Sequence, residues 1–249
     1  MMIFVVKLRT LSVIISGTLL LSIWILNFAL HPNMTLWKNE KKVVTSVKTS
    51  QKVAALTFDD GPDPATTPAV MDSLARHHVP ATFFVVGYRA EKSPQLLQLI
   101  AAQGHELGNH SYSHNYSQFK KDDISIFQSE IERTNAIITV TTGQIPALFR
   151  PPGGYLSDRL VDFVNQYPMT IAYWTWQQDP KDWQAGKKGE AIARHVVSNI
   201  RPGQIIILHD GANNALETAR GVDLLLTQLT ADGYRFVTMS ELIQLEEPE

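Results

Sequence analysis

Cysteine is absent from the 249 residues, which excludes a disulfide framework, a thiolate zinc site and a lipobox cysteine. A basic surplus is missing from most of the chain. Residues 1–52 carry seven Lys/Arg against one acid, whereas the whole chain is −2, so residues 53–249 stand at −8. A domain of that sign is a poor partner for nucleic acid. Internal repeats and low-complexity tracts are lacking, as is the widely spaced carboxylate pair, supported by other motifs, of a glycosidase. With 44% hydrophobic and 18% charged residues, what remains is an ordinary globular composition, long enough for one sizeable core.

One long apolar run is present. Leu11–Leu30 contains no charge, and twenty helical residues span about 30 Å, the hydrocarbon thickness of a bilayer. The run exceeds a typical signal-peptide core, and its end, NFALHPN, is a poor cleavage site. The expectation is a transmembrane signal anchor over 11–30 behind a short cytoplasmic tail (1–10), with the large domain outside the cell membrane. Secretion after cleavage is the alternative. Residues 31–52, polar and Lys-rich, read as a solvated linker.

From Val53 onward, short apolar runs alternate with helical periodicity. Strands are expected at Val53–Phe58, Ala81–Val86, near His105–Gly108, and at Ala147–Arg150, Thr170–Trp176, Gln204–Leu208 and Tyr234–Val237. Helical spacing marks Asp122–Thr139. This alternation predicts an α/β domain over 53–249 with a parallel sheet, doubly wound or closed into a barrel. Polar residues follow the strands: Asp59 and Asp60, His110, Arg150, Asp179 and Asp182, and His209. In a parallel barrel those strand ends share one rim.

The residue types suit metal-assisted hydrolysis. His110 and His114, four apart, would lie on one face of a helical turn and share an ion. A carboxylate from Asp59-Asp60 supplies a third ligand, and its neighbour is left to act on water. Arg150 is suited to holding a carboxylate ionised, and Gly153 or Gly154 offers backbone N–H groups to an oxyanion. His209 ends an apolar strand, partly desolvated, as a proton donor. Asp182 can orient it, whereas Asp179 reads as a turn former before Pro180. Trp183 fits a sugar site; Trp174 and Trp176 fit either a sugar site or the core.

In order and spacing, TFDDGP, HSYSH, RPPGG, DPKDW and LHDG resemble the motifs of the polysaccharide deacetylases of the NodB-homology type (carbohydrate esterase family 4), over residues 53–240 approximately. The resemblance implies a distorted parallel (β/α) barrel and one divalent metal ion, usually zinc, with Co2+, Ni2+ or Mn2+ as substitutes. It implies Asp59 as general base, Asp60, His110 and His114 as ligands, Arg150 as holder of the base, and His209 as general acid tuned by Asp182. Gly153, Tyr155, Trp183 and Ile207 would contact the substrate. The implied activity is hydrolysis of N-acetyl groups on a GlcNAc-type glycan, with O-acetyl esterase and non-catalytic glycan binding as the alternatives. Besides the glycan and the bilayer at 11–30, no protein partner is expected. The chain departs from the family in carrying Gly153 directly after Arg-Pro-Pro, where a larger residue is common, and Ile207 two residues before His209, where Leu is common.

Overall fold

The computed structural model describes residues 33–248, so the expected anchor at 11–30 lies outside the described residues. Among the described residues no helix is long and apolar enough to cross a membrane. Eight strands form the sheet: β1 Val43–Val44, β2 Val53–Asp59, β3 Thr82–Val85, β4 Glu106–Asn109, β5 Leu148–Phe149, β6 Thr170–Ala172, β7 Gln204–His209 and β8 Arg235–Val237. Among the described residues ten α-helices accompany them: α1 Met34–Asn39, α2 Thr67–Arg76, α3 Gly87–Lys92, α4 Pro94–Ala102, α5 Tyr116–Phe119, α6 Ile124–Thr142, α7 Asp158–Val164, α8 Gly189–Asn199, α9 Ala215–Ala231 and α10 Met239–Gln244. Strand order is β1-β6-β5-β4-β3-β2-β7, with β8 also on β2. Every strand pair is parallel, so all C-terminal ends open on one rim.

The sheet curls into an open barrel. Its two edges meet where Ser46 bridges Gln204 in antiparallel fashion and the Val47 N–H donates to the Gly203 carbonyl at 2.7 Å. The stretch 33–52 is therefore not the solvated linker expected from its composition. β1 pairs with β6, Trp37 and Val43 are buried among Phe119, Phe127, Phe149 and Ile171, and Val47 joins Val53 and Ile205. A Lys-rich segment conceals a few apolar anchors spaced too irregularly to register as periodicity.

Period two along the strands sorts the residues. Leu56 and Phe58 of β2 and Ile206 and Leu208 of β7 face outward, into a core shared with α2, α8 and α9. The alternate residues Val53, Ala55, Phe84, Leu148, Ala172 and Ile205 fill the barrel together with Met239 and Leu242 of α10. Further along the same inward rows come Thr57 and Asp59, then Arg150, and Ile207 with His209. Apolar side chains thus plug the bottom and polar ones reach the rim. Gly108 in β4 makes room: a Cβ there would stand 2.5 Å from the Phe84 ring.

Candidate active site

Asp59 and Asp60 sit where β2 ends. Asp59 continues the inward row and is buried. Arg150, fully buried just past β5, donates from Nη1 to Asp59 Oδ1 at 2.7 Å and to Thr57 Oγ1 at 2.9 Å. Its Nε reaches the Ala172 carbonyl at 3.3 Å, and its guanidinium lies 4.0 Å from the centroid of Phe84. The guanidinium is held on several sides, so one carboxylate oxygen of Asp59 is fixed. The other, Oδ2, stands 3.7 Å from His110 Nε2.

Asp60 turns the other way, with φ 74, a left-handed conformation that Asp tolerates better than most residues. Its Oδ1 lies 3.6 Å from His110 Nε2 and 3.2 Å from His114 Nε2. One ligand atom from each of Asp60, His110 and His114 falls within 4.8 Å of the others. His110 Nδ1 lies 2.7 Å from the Arg150 carbonyl, which can only accept. That ring nitrogen therefore carries a proton, and Nε2 is the atom turned to the cluster; burial opposes charging the ring, but Asp59 and Asp60 raise its pKa, so a bound cation would take the place of a second proton on Nε2. His114 is brought down to about 4, by burial and then by the charge of His110, so it is neutral and able to ligate at pH 7. Burial works against ionisation of Asp60, but the hydrogen bond and charge of His110, helped by the charge of His209, hold it well below the usual carboxylate range. A neutral imidazole, a second imidazole with Nε2 turned inward to exchange its proton for an ion, and an ionised carboxylate are a donor set that fits a divalent cation.

The two histidines do not share a helical turn, contrary to the expectation from their spacing. Residues 110–114 form an irregular loop in which Ser111 (φ 65) and His114 (φ 53) are left-handed, and α5 begins only at Tyr116. The loop is pinned by Glu130 of α6. Its Oε2 accepts from the Tyr112 and Ser113 N–H groups at 2.9 and 2.7 Å, and Ser113 Oγ donates to Oε1 at 2.8 Å. The sequence reading missed Glu130. Its signal was a charged residue in the buried stripe of α6, between Phe127 and Ile131.

His209 ends β7 on the inner face. Its Nδ1 lies 2.8 Å from Asp182 Oδ1, while Asp182 Oδ2 accepts from the His209 N–H and the Thr218 hydroxyl, both at 2.8 Å. Burial opposes protonation of His209, but the fully buried Asp182 outweighs it, with further help from Asp59 and Asp60, raising the imidazole to about 9. At neutral pH the ring is an imidazolium.

Asp59, Asp60, His110, His114 and His209 line a cavity of about 510 Å³ together with Gly153, Trp174, Asp179, Trp183 and Ile207. Gly153 adopts φ 58, a conformation costly for any residue with a Cβ. Tyr155, expected at the substrate, is not among the lining residues. It packs against the cluster around Phe119 and Leu160, and its hydroxyl donates to Asp122 at 3.1 Å. Two residues beyond Gly153, the chain has already turned away from the rim. Trp174 lines the cavity stacked on Tyr173, whereas Trp176 is exposed and belongs to no core.

A family model for polysaccharide deacetylase matches residues 46–172. A peptidoglycan-N-acetylglucosamine deacetylase from Bacillus cereus is 39% identical, the alignment covering 81% of this chain and 93% of the relative. The chain belongs to the polysaccharide deacetylase family. Among solved structures of polysaccharide deacetylases and their kin, the Bc1960 peptidoglycan N-acetylglucosamine deacetylase superposes with a TM-score of 0.78 at 32% identity, covering 86% of this chain and 98% of that one. A family 4 acetyl xylan esterase from Clostridium thermocellum, in complex with a cobalt ion, does so with a TM-score of 0.69 at 34% identity, covering 78% and 91%. The parallel curled barrel and the deacetylase class expected from the motifs both hold.

Proposed function

We propose that the chain removes N-acetyl groups from a GlcNAc-type envelope glycan, peptidoglycan foremost, releasing acetate. One divalent cation, zinc by preference, would be held by Asp60, His110 and His114. The observation that carries this reading is the convergence of those three ligand atoms within 4.8 Å, beside an aspartate clamped by a buried arginine. When bound, such a cation supplies Lewis acidity, lowering the pKa of water and polarising a carbonyl.

The chain's own residues do the rest. Asp59, with Oδ1 tied to Arg150, keeps Oδ2 available to take a proton from water as the oxygen attacks the acetyl carbon. The Gly153 N–H donates to the carbonyl oxygen as negative charge builds there. His209, charged because of Asp182, gives its Nε2 proton to the amine nitrogen as the C–N bond breaks. Trp183 and Ile207 flank the acetyl methyl. The similarity to an acetyl xylan esterase favours a second reading, O-acetyl ester hydrolysis by the same groups.

For localisation we propose an anchor at 11–30 with the domain outside the cell. The test is acetate release by the full chain from peptidoglycan, chitooligosaccharides and acetylated xylan, with zinc added and then removed by EDTA. Release from N-acetylated glycans that disappears with EDTA is expected. Release from acetylated xylan alone would replace the amide reading with the ester one.

A further inference from the structure

We infer that Trp176 floors a second sugar subsite at the cleft margin, taking a pyranose ring of the glycan beyond the residue that is deacetylated. The inference rests on the glycan reading above. Trp176 is 75% exposed, and a large apolar ring left in water beside a binding cleft marks a contact surface. The indole is not loose. Lys181 Nζ stands 4.5 Å from its centroid, covering one face with a cation.

Lys181 is put there by Asp179. One carboxylate oxygen accepts the Lys181 N–H at 3.0 Å and the other accepts Nζ at 2.7 Å, so both ends of the lysine are gripped by one nearly buried carboxylate. Lys181 meanwhile holds φ 56, a strained conformation for a lysine. This clamp contributes nothing to core packing. Its effect is to orient an indole next to a cavity that Asp179, Lys181 and Trp183 themselves line. With one face taken, the opposite face is left for the C–H face of a sugar ring. Asp179, expected as a plain turn former, becomes a positioning residue.

The test compares (GlcNAc)2 with (GlcNAc)6 as substrates of the full-length enzyme. In wild type, kcat/KM should rise from dimer to hexamer. Trp176→Ala should lose about 3- to 10-fold on the hexamer, through KM, with the dimer within about twofold of wild type. Trp176→Phe should retain part of the gain. Asp179→Asn, which frees Lys181, should fall between them. Hexamer affinity measured by calorimetry on an Asp59→Asn background should weaken by the same factor when Trp176 is replaced. Equal hexamer affinity with and without Trp176, or no hexamer binding at all, overturns the subsite. If neither glycan is turned over by wild type, the deacetylase reading falls, and the calorimetry still decides the role of Trp176.

Discussion

Asp182→Asn removes a charge while keeping a shape, and its consequences are calculable. The imidazole of His209 rises from 6.5 to about 9, which corresponds to roughly 3 kcal/mol of extra stabilisation of its charged form. Because the folded-state pKa is raised, that stabilisation is fully present below about pH 6.5 and is lost as pH climbs through about 9. In the variant, burial still opposes protonation but the main compensating charge is gone, so the imidazole falls to its ordinary value or below. At pH 8 roughly nine-tenths of wild-type His209 carries the proton, against a few per cent at most in the variant. The alkaline limb of kcat for acetate release should therefore move down by about two and a half pH units or more. At pH 8 the rate should fall about 30-fold or more, the ratio of the two protonated fractions. Urea unfolding should show a stability loss of about 2–4 kcal/mol at pH 6 that shrinks toward pH 9.5. A variant with an unmoved alkaline limb, and an equal stability gap at both pH values, would refute the pairing as the source of the acid.

Asp59→Asn should lower kcat by about 10²- to 10⁴-fold while retaining wild-type metal content by elemental analysis; loss of the metal would make Asp59 a ligand instead. Replacing His114 by Ala should drop bound zinc well below one per chain and abolish acetate release, with circular dichroism unchanged because the ligand sits on a loop. Arg150→Met leaves the Asp59 charge buried without its partner, and a loss of about 3–5 kcal/mol in chemical denaturation is expected. Trp37→Ala should cost about 3–5 kcal/mol by the same measurement, whereas a segment outside the fold would give none.

Strand ends and their polar residues were readable because β2, β3 and β7 are buried on both faces and appear as unbroken apolar runs. Asp59, Asp60 and His209 could be named because they end such runs, whereas His110, His114, Arg150 and Asp182 follow short or polar stretches and were legible only through their spacing and the order of the motifs. The conformation of the His110 loop could not, since it depends on Glu130, twenty residues downstream and on a different element. Tyr155 was misjudged because adjacency to Gly153 in sequence does not survive two left-handed glycines. The role of residues 34–47 was hidden for a similar reason: Trp37 and Val43 find partners at Phe149 and Ile171, more than a hundred residues away, and their own neighbours are charged.

The bridge from Ser46 to Gln204 has a consequence for reach. Because the belt from Met34 onward belongs to the folded body, only three residues of sequence, 31–33, separate that body from the proposed anchor at 11–30. With the proposed anchor in place, so short a spacing would hold the cleft close to the bilayer instead of letting it range outward.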